Sequence, residues 1–175
     1  MATMMRLHKN QITESLESSS HDRASVTPKT VKLKPIVGKR FTFSDLLGGD
    51  DLVQELGLNT IKQVRLGIES GVIGRLAEAG LEPKYRQRII PERTFQRRQK
   101  AGERLTPEES ERALRYARVV AEADRVFGEH DKGMRWLHSP MKQLENQSPL
   151  DVLDTDIGAR LIEEILGQID EGFFA

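Results

Sequence analysis

The sequence predicts an all-α protein in which a helix-turn-helix precedes a small helical domain. Three observations predict it. From Ser44 onward apolar residues recur at helical rather than alternating spacing. The runs carry helix punctuation, with Ser, Thr or Pro in front and Gly behind. Two runs, "TPEESERALRYARVVAEADRVFG" and "TDIGARLIEEILGQID", are long and cleanly bounded, and no convincing strand is legible.

Residues 1–40 read as a flexible tail. "ESLESSSHDRASVTPKTVKLKP" is rich in Ser, Thr and Lys and has no sustained apolar period, so it buries too little to offset its ordering entropy. "KPIVGKRFTF" reads as a short extended arm whose Val37, Phe41 and Phe43 pack on the adjoining helical domain. Ser44 is the expected cap of "DLLGG". "DDLVQELGL" sets Leu52, Val53 and Leu56 at helical spacing, with Gly57 as a stop. "NTIKQVRLGIESG" places Ile61, Val64, Leu66 and Ile68 near one face, between a cap at Asn59 and an end at Gly71.

"VIGRLAEAG" is a short helix closed by Gly80, and "PKYRQRI" begins with Pro83 at a favoured first position. "IPERTFQRRQKAGERL" opens at Pro91 and closes at Gly102. The long helix has Thr106 as cap, Pro107 next, Glu109 completing a capping box and Gly128 as stop. Its apolar stripe is Ala113, Ala117, Val120 and Phe127, flanked by Leu114 and Ala121. "HDKGMRWLHSP" carries Met134, Trp136 and Leu137; Trp136 is expected in the core. "MKQLENQ" is a loop and "PLDVLD" a turn. Thr155 caps the last helix, whose Ile157, Leu161, Ile162, Ile165, Leu166 and Ile169 make one wide apolar face. Gly158 and Gly167 lie inside it, which suggests close approach by another backbone.

Composition narrows the function classes. The 175 residues hold 27 basic and 27 acidic side chains and no Cys. Disulfides and Cys-based zinc sites are excluded, which fits a reducing, cytoplasmic setting. No apolar run approaches the ~20 residues of a membrane span, and the start lacks the apolar centre of a secretory signal. Phosphate-binding glycine loops and zinc-protease motifs are absent, and the four His are scattered, so no catalytic residue, metal ligand or cofactor is expected. A binding protein is favoured over an enzyme.

Charge is unevenly placed. Lys84 to Arg104 holds eight basic residues against Glu92 and Glu103, a net of +6. Glu145 to Ala175 holds eight acidic residues against Arg160, a net of −7. Such separation suggests two surfaces with different partners; the plainer alternative is two solvated helix faces. In the basic stretch, "PKYRQRI" and "PERTFQRRQKAG" fit the two helices of a helix-turn-helix. Phe95 is the inward anchor. Arg93, Thr94, Gln96, Arg97, Arg98 and Lys100 supply the chemistry that reads base edges and neutralises phosphates, and Lys84, Arg86 and Arg88 extend the strip.

The chain ends "EGFFA", two of its six Phe among its last three residues. Phe173 and Phe174 either fold back on the core or meet a partner, and aromatic residues are common interface anchors.

"IIPERTFQRRQKAGERLTPEESERALRYARVVAEADRVFG" together with "WLHSP" and "SPLDVLDTDIGARLIEEILGQIDEGFFA" resembles the Xre/MbcA/ParS family of type II antitoxins. The matching positions are Ile90, Pro91, Arg93, Thr94, Arg97, Arg98, Val126, Phe127, Gly128, Trp136, Leu137, Pro140, Pro149, Leu153, Thr155, Gly158, Gly172 and Phe173. The resemblance covers roughly residues 60–175 and departs in the loop "MKQLENQS", which in the family is short and contains Gly. It implies an antitoxin that covers the active-site cleft of a cognate RES-domain, NAD-degrading toxin and represses its own operon. It further implies a homodimer through the helical N-terminal region and a higher-order toxin–antitoxin complex on operator DNA. The expected division is a tail over 1–40, a DNA-binding and dimerisation domain over 41–105 with its helix-turn-helix at about 83–101, and a linking helix with a toxin-binding domain over 106–175. The expected toxin contacts are Arg160, Glu163, Glu164, Gln168, Asp170, Glu171 and the end Gly172, Phe173, Phe174 and Ala175; an acidic helix end suits a pyrophosphate-binding pocket. The alternative is a stand-alone transcriptional regulator with a protein-binding C-terminal domain.

Overall fold

The computed structural model describes residues 39–49 and 58–172. In chain order the described helices are α1 (Phe43–Leu47), α2 (Leu58–Leu66), α3 (Gly71–Glu78), α4 (Pro83–Ile89), α5 (Glu92–Ala101), α6 (Pro107–Phe127), α7 (His130–His138), α8 (Pro149–Val152) and α9 (Asp156–Asp170). Two isolated antiparallel bridges, Glu69–Arg104 and Met141–Gln147, are the nearest approach to a sheet, and no strand occurs among the described residues.

The long helix forms as its punctuation requires. Thr106 accepts from the Glu109 amide, the Glu109 carboxylate accepts from the Thr106 amide, Pro107 follows the cap, and Gly128 ends the helix at φ 71°. Its burial differs from a single stripe. Ser110, Ala113, Tyr116, Ala117, Val119, Val120 and Ala123 are all buried, because α1, α2, α3, α4, α7 and α9 pack around α6. A helix covered on most sides shows no clean polar face.

The segment before it turns tightly. Ile90 ends α4 in an extended conformation (φ −150°, ψ 134°), as expected of a residue before proline. Pro91 then caps α5, so two residues separate the helices. Tyr85, Ile89, Ile90 and Phe95 are buried and hold the pair together. Gly102 closes α5 in the left-handed region.

Helix boundaries differ from expectation at three places, the first being that Asn59, expected as a cap, lies inside α2, which is helical from Leu58. Thr42, not Ser44, caps α1, exchanging bonds with Asp45 in a capping box. The helix expected to run on to Gly71 stops at Leu66. Gly67 has φ +83°, and a side chain there would sit 2.0 Å from the Leu105 carbonyl oxygen, so the chain turns; Gly71 opens α3 instead. The runs holding Val37, Leu52, Val53, Leu56 and Gly57 lie outside the described residues.

The arm is held by a buried polar knot. The Phe41 amide donates to Asp124 Oδ2 (2.8 Å), His130 Nδ1 lies 2.8 Å from the same oxygen, and the Phe41 ring stands edge-on to the imidazole at 4.8 Å. α7 crosses α6 closely at Gly133, where a Cβ would meet the Ala123 backbone at 3.1 Å. Trp136 is half-buried against Phe127, with centroids 5.6 Å apart. The loop "MKQLENQ" is ordered by a 3-10 turn at Lys142–Leu144, buried Leu144, and left-handed Glu145 and Asn146.

Candidate functional site

Helix α5 presents the basic surface. Arg93, Gln96, Arg97, Gln99 and Lys100 are exposed and Thr94 is partly exposed, while Phe95 points inward. Arg93 and Lys100 have no partner among the described residues. Gln96 bonds to Glu92 (2.9 Å) and Arg97 pairs with Glu103 (2.9 Å). Both contacts are solvent-exposed; the Arg97–Glu103 ion pair is worth at most about 1 kcal/mol and can yield to a phosphate.

Not every predicted cation faces outward. Arg98 is largely buried; it pairs with Glu109 of the α6 capping box and donates to the Arg104 carbonyl (3.2 Å). Arg86 donates to the Leu81 carbonyl (3.1 Å). Arg88 is exposed but committed: it donates to the Asp151 carbonyl (2.7 Å) and lies 3.7 Å from its carboxylate. Lys84 is exposed but sits over the Tyr85 ring at 4.4 Å, and its bond to that side chain raises its pKa. The outward group is thus Arg93, Thr94, Gln96, Arg97 and Lys100, with Lys84 beside it.

The predicted C-terminal residues separate into two flanks. Glu163 pairs with Arg118, and Asp170 pairs with Arg125 (3.0 Å), so both tie α9 to α6. Arg160 bonds to Asp156 of its own helix (2.9 Å). Glu164 and Glu171 are exposed with no partner among the described residues, and Gln168 is partly exposed. Gly172 is exposed at φ +80°, while Phe173, Phe174 and Ala175 lie outside the described residues.

The wide apolar face of α9 is only partly core. Ile162, Ile165 and Leu166 are buried, but Ile157 is 81 % and Leu161 42 % exposed. These two are the residues the sequence reading missed as surface groups, since it assigned the whole face inward. The signal was available: an apolar arc spanning Ile157 to Ile169 is wider than one packing surface needs. Gly158 does mark a close approach, within the fold: a Cβ there would lie 1.9 Å from the Val152 carbonyl oxygen of α8. At Gly167 a Cβ would meet nothing within 4 Å.

A polar seam joins α4 to α7 and α8. Tyr85 and Ser148 share a hydroxyl–hydroxyl bond (3.2 Å), Arg88 holds Asp151, and His138 lies 3.8 Å from Glu82. Burial pushes the His138 imidazole below its usual pKa and outweighs the upward pull of Glu82. Burial pushes Asp151 up, but the Ser148 hydroxyl and amide, Lys84 and Arg88 outweigh it and hold the carboxyl below its usual range. Tyr116, beneath this seam, is pushed up to about 12 by burial.

Comparison with known proteins matches both parts of the chain. Residues 61–118 match the Antitoxin Xre-like helix-turn-helix domain, and residues 122–172 match the Antitoxin Xre/MbcA/ParS C-terminal toxin-binding domain. The two matches meet within α6. A protein named Antitoxin Xre from Pseudomonas putida is 36 % identical over 73 % of this chain and 80 % of its own length. Another Antitoxin Xre, from Yersinia enterocolitica, is 32 % identical over 68 % of this chain and 83 % of its own. Matched over both a helix-turn-helix domain and a toxin-binding domain, and 36 % identical to a relative across 73 % of its length, the chain belongs to the Xre/MbcA/ParS family of antitoxins.

Proposed function

We propose that the chain neutralises a cognate RES-domain, NAD-degrading toxin by covering its active-site cleft, and that it represses its own operon by placing α5 in the operator's major groove. The observation that carries the reading is the separation of charge onto two elements. α5 displays Arg93, Arg97 and Lys100, whereas α9 ends in Glu164, Asp170 and Glu171 with no basic residue in its last turn. Cations on a helix suit phosphates, and an acidic helix end suits the cationic pocket that a pyrophosphate substrate requires.

Self-association fits the same reading. α2 buries none of its residues, and Leu58 and Leu66 are 74 % and 70 % exposed. With Ile61 they form an apolar surface suited to a second copy, and a two-fold dimer matches a two-fold operator. The complex with toxin then carries two antitoxins, on DNA in the cytoplasm.

Co-expression tests the toxin half. The full chain restores growth to cells making the toxin, and a chain ending at Asp170, lacking Glu171–Ala175, does not. Full protection by the shortened chain refutes a role for the tail.

A further inference from the structure

We propose that the outward strip of α9, Ile157–Leu161–Glu164–Gly167–Glu171, is a docking helix that lies in a groove of the toxin. The groove is apolar beneath Ile157 and Leu161, and its rim is cationic beside Glu164 and Glu171. The proposal rests on the reading that this domain binds a toxin. It assigns the contact to a strip that includes two apolar residues and excludes Glu163 and Asp170.

Spacings of four, three, three and four residues put the five positions on one side of the helix. Three departures from ordinary helix chemistry coincide there. First, Ile157 and Leu161 are left in water, although burying such a side chain is worth about 1.5–3 kcal/mol. Second, Gly167 costs α9 about 1 kcal/mol relative to alanine, and nothing in the fold needs the space, since a Cβ there meets no atom within 4 Å. Gly158 in the same helix is forced by the Val152 carbonyl, so the contrast is internal. A bare backbone on an outward face admits another chain closely. Third, Glu171 caps the helix end, where the dipole disfavours negative charge and the last turn holds no basic residue; Glu164 has no partner among the described residues, and Arg160 on the same side is bonded to Asp156. The carboxylates on the inward flank, Glu163 and Asp170, are both paired with arginines of α6.

Apolar anchors, a flat spot and unbalanced carboxylates along one strip are the complement of a groove that receives a helix. Charge selects the occupant. Glu164 stands at the middle of the strip, so a second copy laid antiparallel would bring two Glu164 carboxylates together, and like charges in contact oppose binding. A cationic rim relieves the same charge.

Titration calorimetry of the full chain with its toxin, inactivated at its catalytic centre, tests the strip, alongside thermal melts and operator binding. Ile157→Ser is expected to leave the melt unchanged and weaken toxin binding at least about tenfold, as loss of an interface anchor does. Gly167→Ala is expected to raise the melting temperature while weakening toxin binding, which a folding defect cannot do. Glu164→Lys weakens binding and reverses its dependence on salt. All three variants bind operator as the unaltered chain does. If the unaltered chain binds toxin and these variants bind equally well, the strip is wrong and the toxin docks elsewhere. If Ile157→Ser instead dissolves a dimer and spares toxin affinity, the strip is a self-interface and the proposal fails. If the unaltered chain binds no toxin at all, the underlying reading fails instead.

Discussion

Several residues of this antitoxin are fixed by what a single added or removed atom would meet. Gly158 is the sharpest. Alanine there drives a methyl group into the Val152 backbone carbonyl, which cannot swing aside as a side chain would. Gly158→Ala is expected to lower stability by about 3 kcal/mol, the upper range for overpacking a closed site, measurable by urea unfolding. Arg98 is a second case. The sequence placed it with the groove-reading cations, because its spacing from Arg97 and its residue type suit that role. The fold uses it to clamp α5 to the α6 capping box through Glu109. Arg98→Ala leaves a buried carboxylate without its partner and is expected to cost about 3 kcal/mol. An effect of that substitution on operator binding is therefore indirect, and a melt that shows no loss of stability contradicts the assignment.

At the scale of elements, α5 is where DNA binding should be tested, using cations that the fold does not consume. Replacing Arg93, Arg97 and Lys100 with alanine leaves Phe95 and the Arg98–Glu109 clamp intact. Operator binding should weaken strongly, and the slope of log affinity against log salt should fall by about 0.9 for each lost phosphate contact. Fluorescence anisotropy across a salt series reads both. Caps made most of these elements legible in the sequence: Thr106, Pro107 and Gly128 bound α6, Thr155 opens α9, and Pro83, Pro91 and Gly102 bound α4 and α5. Where local signals competed, the reading failed. Ser44 and Thr42 are both capping residues, and Gly67 and Gly71 are both plausible stops. The choice between the glycines came from the Leu105 carbonyl, nearly forty residues away in the chain. The two faces of α9 were also hidden, because Ile157 and Ile162 are chemically alike and only packing against α6 and α8 separates them.

Across the whole molecule, the two family domains share α6 and meet along the polar seam between α4 and α8. That seam makes stability depend on pH. His138 titrates lower in the fold than its ordinary value near 6.5, so the unfolded chain binds its proton more readily. The contribution of His138 is complete above that value and declines as pH falls below it toward the folded pKa. Asp151, held below its ordinary value of 3.8, adds a second loss at still lower pH. Thermal melts from pH 8 to pH 4 are expected to show stability falling from about pH 6.5 downward, and His138→Gln should flatten the upper part of that decline. Charge asymmetry was readable from the sequence before any contact was known, because it needs only counting. The division of that charge into paired and unpaired carboxylates was not, because it depends on where Arg118 and Arg125 reach.

Growth of cells producing the cognate toxin tests the central claim, two separate working faces, most directly. Each culture co-expresses either the variant lacking Arg93, Arg97 and Lys100 or a variant carrying Ile157→Ser with Glu164→Lys, from a promoter that neither controls. The account predicts that the α5 variant restores growth as fully as the unaltered chain and that the α9 variant, present at equal level, does not. Full rescue by the α9 variant, or failure of the α5 variant, would contradict it.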